Sequence, residues 1–322
     1  MKGLAALPAE TAPPLRVRLA TPELGPWRAG NTGLPGVWSF AAAEAGPHLA
    51  LVSLMHGNEI AGGHLVARWL RDGLRPARGR LTLVLANLAA FDLFDPADPT
   101  ASRFVDEDMN RLWAPAMLDG GRRSAELERA RALRPVIEAA DVLLDLHSML
   151  WPSDPLLLVG PTRRARDLAQ GIGTPGVVVA DEGYAGGMRL IDVARFGRGD
   201  AAAMLLEAGP HWEEATVAQM ERSAAGLLRR LGMAADGAPL PPEEALPPAR
   251  FARVSRTVTA ESTTFAFLRP WRGGEVVPRR NTLIALDGEQ EIRTPHDDCL
   301  LVMPSPQTMR GHTAVRLARF EE

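Results

Sequence analysis

Residues 48–55 read HLALVSLM, a nearly continuous apolar run. A strand with one wet face alternates polar and apolar residues. An uninterrupted run is buried on both faces, as in a parallel sheet covered by helices. The same signature recurs as RLTLVLANL from Arg80, DVLLDLH at 141–147, PLLLVG at 155–160, GVVVA at 176–180 and AAMLLEA at 202–208. Between the runs, Glu59–Arg71 sets Leu65, Trp69 and Leu70 at helical spacing, and 122–139 and 213–231 also read as helices. Strands alternating with helices predict an α/β fold with a mixed, mostly parallel sheet flanked by helices. The mixed charges of 122–139 are expected on a solvated face. Residues 89–121 are irregular and too long for a passive connection, so this loop is a candidate for function.

The pattern changes after the first two-thirds of the chain. Residues 235–249, ADGAPLPPEEALPPA, hold five prolines and read as a linker. Short strand patterns follow in ARFARVSRTV, STTFAFL, NTLIAL, CLLVMP and TAVRLARF, with Asp287-Gly288 as a hairpin turn. The expected organisation is an α/β domain over 1–234, a linker over 235–249, and a small all-β domain over 250–322.

Composition removes several function classes. The net charge is −3, so nucleic acid is not an expected partner. Lys2 is the only lysine, which excludes an internal Schiff-base or P-loop lysine. Cys299 is the only cysteine and reads as a small buried side chain. No stretch reaches the ~18 apolar residues of a membrane span, and the apolar segment before Pro8 is too short for a signal sequence. A cytoplasmic location without membrane partners is therefore expected. Residues 171–176, GIGTPG, match a dinucleotide-binding pattern, but they join a helix to a strand, the wrong order for that site.

Ligands of an open parallel sheet bind at the carboxyl ends of its strands. HLALVSLM is followed by His56-Gly57-Asn58-Glu59, DVLLDL by His147, and AMLL by Glu207. His56 and Glu59 converge if the chain turns between strand and helix. With His147 they form a His₂Glu set, a known catalytic zinc arrangement with an open position. Glu207 is then placed to act as general base toward a water and as proton donor to a leaving nitrogen. The loop adds Arg103, Asn110 and Arg111, groups suited to a carboxylate-bearing substrate. The alternative for these arginines is surface pairing with Asp106, Glu107 or Asp108.

Taken together, His56-Gly57-Asn58-Glu59, Asp108-Met109-Asn110-Arg111, Asp145-Leu146-His147 and Glu207-Ala208-Gly209 resemble the motifs of the succinylglutamate desuccinylase/aspartoacylase family, in the same order. The resemblance covers residues 48 to about 231. It implies one Zn²⁺ per chain at His56, Glu59 and His147, and Glu207 as catalytic base. It implies Asn110 and Arg111 as substrate binders, with Arg103 on the substrate or the scissile carbonyl. The family often places an arginine before the catalytic glutamate, and here Arg195 and Arg198 both qualify. The tyrosine that aspartoacylase draws from its C-terminal domain has no counterpart there. The only tyrosine is Tyr184, in a glycine-rich loop that could cover the site. The implied reaction is hydrolysis of an N-acyl amino acid. The alternatives are a metallocarboxypeptidase acting on short peptides and a non-catalytic zinc-binding relative. The oligomeric state is left open.

Overall fold

A computed structural model describes residues 15–182, 186–197 and 199–321. The chain forms two compact units: one holds residues 17–150 and 155–251, the other 151–154 and 252–321 together with 15–16.

The larger unit contains, in chain order, β1 (Val37–Ala41), β2 (Glu44–Ser53), α1 (Ala61–Arg71), β3 (Arg78–Leu85), α2 (Leu88–Phe91), α3 (Pro115–Leu118) and α4 (Ala125–Glu138). It continues with β4 (Val142–Met149), β5 (Leu156–Val159), α5 (Arg163–Ile172), β6 (Val177–Ala180), α6 (Ala194–Gly197), β7 (Ala202–Pro210) and α7 (Glu214–Arg230). Its strands follow the order β1-β3-β2-β4-β7-β5-β6. The pairs β3/β2, β2/β4, β4/β7 and β5/β6 are parallel, whereas β1 and β5 run antiparallel to β3 and β7. The sheet is thus mixed and mostly parallel, as the apolar runs predict.

The apolar pattern explains why these strands are central. All eight residues of β4 are buried, as are the last five of β2. Helix α1 lays Leu65, Val66, Trp69 and Leu70 against the core, and α7 contributes Val217, Met220, Leu227 and Leu228. Each fully buried Leu or Val contributes roughly 1.5–3 kcal/mol, so the strand ends stand on a rigid base. Because β2, β4 and β7 are parallel and adjacent, His56, His147 and Glu207 leave the sheet at one edge.

Two expectations need correction here. The irregular stretch 89–121 contains α3 and two single 3₁₀ turns, Ala101–Arg103 and Met109–Arg111, and α2 begins just before it. These pieces are too short to show a helical period. The solvated-face reading of 122–139 also fails at one residue. Glu126, in the first turn of α4, has no exposed surface. Residues 235–249 form no helix or strand and group with the larger unit.

The smaller unit is built from β8 (Arg250–Thr259), which it holds from Ala252 onward, β9 (Phe265–Phe267), β10 (Val276–Val277), β11 (Leu283–Asp287), β12 (Gln290–Arg293), β13 (Cys299–Val302) and β14 (Thr313–Glu321). Strands β8, β14, β13 and β10 lie side by side, and β12-β11-β9 form a second sheet. Asp287 pairs with Gln290 across the hairpin, with Gly288 at φ 61° in the turn. Cys299 lies in a core with Val258, Ile284, Leu301 and Leu317. Burial pushes its thiol up to about 11, which fits a packing role rather than a nucleophile. Among the described residues, no helix is long and apolar enough to cross a membrane.

Candidate active site

The turn after β2 is fixed by backbone geometry before any side chain acts. Leu54 adopts φ 55°, a left-handed conformation that an L residue adopts only where its surroundings hold it, and so turns the chain out of the strand. Gly57 follows because a Cβ there would stand 2.3 Å from the Ala90 carbonyl carbon. Its N–H donates to the Arg103 carbonyl at 3.2 Å, and the Trp212 indole donates to the Asn58 carbonyl at 2.9 Å. Held from two sides, the turn brings His56 and Glu59 onto one point just ahead of α1.

His56 Nδ1 lies 2.6 Å from Glu59 Oε1, and His147 Nδ1 lies 3.2 Å from Glu59 Oε2. One ligand atom from each of the three residues falls within 4.8 Å of the others, and all three side chains are buried. The far nitrogens are held by carboxylates. His56 Nε2–H donates to Asp108 Oδ1 at 2.9 Å, with Arg103 Nη2 also 3.0 Å from that nitrogen, and His147 Nε2–H donates to Asp145 Oδ2 at 2.9 Å. Both rings therefore turn Nδ1 toward the shared glutamate. Two imidazole nitrogens and a carboxylate, each fixed from behind, are a donor set that fits a divalent metal.

The electrostatics agree with this arrangement. Burial raises the Glu59 carboxyl, but the two imidazoles outweigh it and hold the group well below the usual carboxylate range. Burial lowers His147, while Asp145 and Glu59 more than offset it and place the group well above an ordinary imidazole. Asp108 is also raised by burial, yet His56, Arg103 and Arg111 bring it down. These partners keep negative charge on Glu59 and Asp108.

The loop supplies the rest of the rim. Arg103 sends one guanidinium nitrogen to Asp108 Oδ2 at 3.1 Å and another to Glu59 Oε1 at 3.4 Å. Asn110 is buried, and its Oδ1 accepts from Leu190 N at 2.8 Å. That bond fixes the amide so that Nδ2 faces His147, 3.4 Å from Nε2. Arg111 is half-buried and donates to the Asn110 carbonyl at 2.7 Å. Glu207 occupies the register position opposite His147 on β7 and is half-buried.

Of the residues expected at the site, the structure brings together His56, Glu59, His147, Arg103, Asn110, Arg111 and Glu207. It does not bring Arg195 there. Arg195 pairs at 3.2 Å with Asp141, which precedes β4 and so stands at the opposite, amino end from His147. Six residues of strand at about 3.3 Å each separate those two ends by about 20 Å. Tyr184 and Arg198 lie outside the described residues. The arginine of that segment that is buried is Arg189, which bonds Asp181 and Asp192 at 2.8 Å each and steadies the turn that reaches Asn110. Sequence reasoning passed over it because Asp181 and Asp192 give no sign of folding around it.

Three further residues join the site's surroundings. Asp108, a motif residue in the sequence, accepts hydrogen bonds from both His56 and Arg103. His211 is buried, and its Nδ1 shares a 2.7 Å hydrogen bond with Ser148 Oγ. Burial pushes His211 down to about 4, with Glu59 opposing and Arg103, His56 and His147 adding to the shift. Ser148 N donates to Glu59 Oε2 at 2.9 Å. The third is Glu126, whose partners are described below.

Residues 45–233 match the family model of the succinylglutamate desuccinylase/aspartoacylase catalytic domain. A 122-residue stretch is 38% identical to a probable aspartoacylase of Parasynechococcus marenigrum (strain WH8102). That stretch spans 35% of this chain and 37% of that protein. Succinylglutamate desuccinylase from Vibrio cholerae superposes with a TM-score of 0.67 at 18% identity, covering 89% of this chain and 86% of that one. The product-bound ectoine utilization protein EutE (DoeB) from Ruegeria pomeroyi gives 0.62 at 17% identity, covering 88% and 87%. At such identities the solved structures speak for the fold.

Proposed function

The chain belongs to the succinylglutamate desuccinylase/aspartoacylase family, and from that premise we propose that it is a zinc-dependent hydrolase of the amide bond of N-acyl amino acids. The observation that carries this reading is the convergence of His56, Glu59 and His147 at one strand edge, with Glu207 in register beside His147. His56, Glu59 and His147 would hold one zinc ion per chain. Bound in a His₂Glu set, zinc supplies Lewis acidity to an amide carbonyl and brings the pKa of a water to about 7.

The chain's own groups supply the rest. Asp108 and Asp145 keep a proton on each Nε2, so that each Nδ1 lone pair faces inward. Glu207 takes the proton of the attacking water on its carboxylate. When the C–N bond breaks, it hands that proton to the departing amine nitrogen, giving a carboxylic acid and a free amino acid. Arg103 already borders the cluster, and it donates to the carbonyl oxygen as negative charge develops there. Asn110 and Arg111 hold the substrate's carboxylate.

The decisive experiment is a hydrolysis screen of N-acetyl and N-succinyl amino acids after zinc reconstitution, with short peptides alongside. Turnover of acyl amino acids with stoichiometric zinc is the expected result. Failure to retain zinc sinks the metal assignment, and preferential cleavage of peptides favours a carboxypeptidase. Glu207→Gln should keep its zinc and lose roughly 10²–10⁴-fold in kcat.

A further inference from the structure

We propose that Glu126 is a positioning residue, and that its buried carboxylate is the anchor holding the loop of Arg103, Asp108, Asn110 and Arg111 in binding shape. The proposal rests on the deacylase reading above.

Three consecutive backbone N–H groups point at this one carboxylate. Val105 N donates to Oε1 at 2.6 Å, and Asp106 N and Glu107 N donate to Oε2 at 3.0 and 3.3 Å. Asn87 Nδ2 adds a fourth bond to Oε1 at 3.0 Å. Successive N–H groups converging in this way make an anion-binding nest, and here the chain fills the nest with its own side chain. Glu126 also sits in the first turn of the 14-residue α4, where the helix dipole favours a negative charge. The clamp is reciprocal, because Ala125 N of the same turn donates to Asp106 Oδ2 at 2.7 Å.

Apart from an ion pair between Glu107 and the exposed Arg122, little else holds this stretch. Phe104 and Val105 are 37% and 40% exposed, so apolar burial does not pin the loop. Yet both flanks reach the cluster. On one side the Arg103 carbonyl accepts from Gly57 N, and on the other Asp108 accepts from His56 and Arg103. A shift of 105–107 therefore moves the guanidinium and the Asp108–Asn110–Arg111 turn together. None of His56, Glu59 and His147 lies on this loop, so a loop shift leaves the candidate ligands in place and reaches the metal through the bonds that Asp108 and Arg103 make to His56 and Glu59.

The experiment compares wild type, Glu126→Gln and Glu126→Ala, with Leu133→Ala on the same helix as a control for lost stability. Glutamine is close in shape but offers one acceptor oxygen, and its amide protons oppose the backbone donors. If the competent loop falls to about a tenth of the population, KM rises about tenfold. Zinc affinity should fall by no more than in Asp108→Ala, about tenfold, so with zinc in excess the metal content stays at the wild-type level and kcat changes less than KM. Backbone amides 105–107 should lose hydrogen-exchange protection, and sodium formate should partly restore KM in Glu126→Ala. A wild-type KM in both fully metallated variants overturns the proposal, as does an equal KM change in Leu133→Ala. If wild type itself turns over no acyl amino acid, the deacylase reading falls. Amide exchange then decides the anchor alone: protection lost in Glu126→Gln supports it, and unprotected amides in wild type overturn it.

Discussion

Asp145 and Asp108 make the same bond in different surroundings, and that difference can be measured. Each accepts a hydrogen bond from the Nε2 of a candidate ligand at 2.9 Å, but Asp145 has no exposed side-chain surface whereas Asp108 is 20% exposed. Removing the partner behind a metal-binding imidazole weakens metal affinity roughly 10–100-fold. At about 1.4 kcal/mol per decade this is roughly 1.4–2.8 kcal/mol, close to a single charge-assisted hydrogen bond at roughly 1.5–3 kcal/mol. Water can replace the lost acceptor behind His56 but not behind His147. Asp145→Ala should therefore lie near the hundredfold end and Asp108→Ala near the tenfold end. Asp145→Asn keeps the volume and one acceptor oxygen, so it should fall between wild type and Asp145→Ala. The assay is a zinc competition titration against a chromophoric chelator, with circular dichroism confirming that each variant is folded. Asp145→Ala binding zinc within threefold of wild type would refute the reasoning, and so would a larger loss in Asp108→Ala.

Three other outcomes test separate parts of the site. Arg103→Ala should lower kcat by about 10²–10³-fold if the guanidinium serves the carbonyl oxygen; steady-state kinetics showing a rise in KM alone would move Arg103 to ground-state binding. Arg195→Ala should leave kcat/KM unchanged and cost about 0–1 kcal/mol in urea unfolding, since both partners of its pair with Asp141 are 40% or more exposed. Glu126 is raised by burial, but its bonds from Asn87 and from the 105–107 backbone outweigh this and hold it below its ordinary value. A carboxyl lowered by folding stabilises the protein above its unfolded pKa and loses that contribution as pH falls through the folded value. Urea unfolding between about pH 3 and 7 should therefore show a steeper acid loss in wild type than in Glu126→Gln.

Several features were readable from residue order because they depend on local rules. Continuous apolar runs marked the central strands. Polar residues closing those runs marked the edge where His56, Glu59, His147 and Glu207 meet. Spacing failed where a residue's role depends on which end of a strand it faces. Arg195 and Arg198 stood at similar distances before Glu207, yet Arg195 packs at the amino end of β4.

Sequence by itself determined the parallel α/β arrangement and the chemistry available at one sheet edge, because burial pattern and strand direction follow from side-chain type. Tertiary structure alone decided which groups orient that chemistry. Asp108 reaches His56 across 52 residues, and Glu126 reaches the 105–107 backbone across about 20. Glu126 bonds to backbone N–H groups, which every residue but proline carries, so nothing in its partners' side chains could announce it. Its place after Ser124 reads as ordinary helix capping, and only the folded loop turns that carboxylate into an anchor.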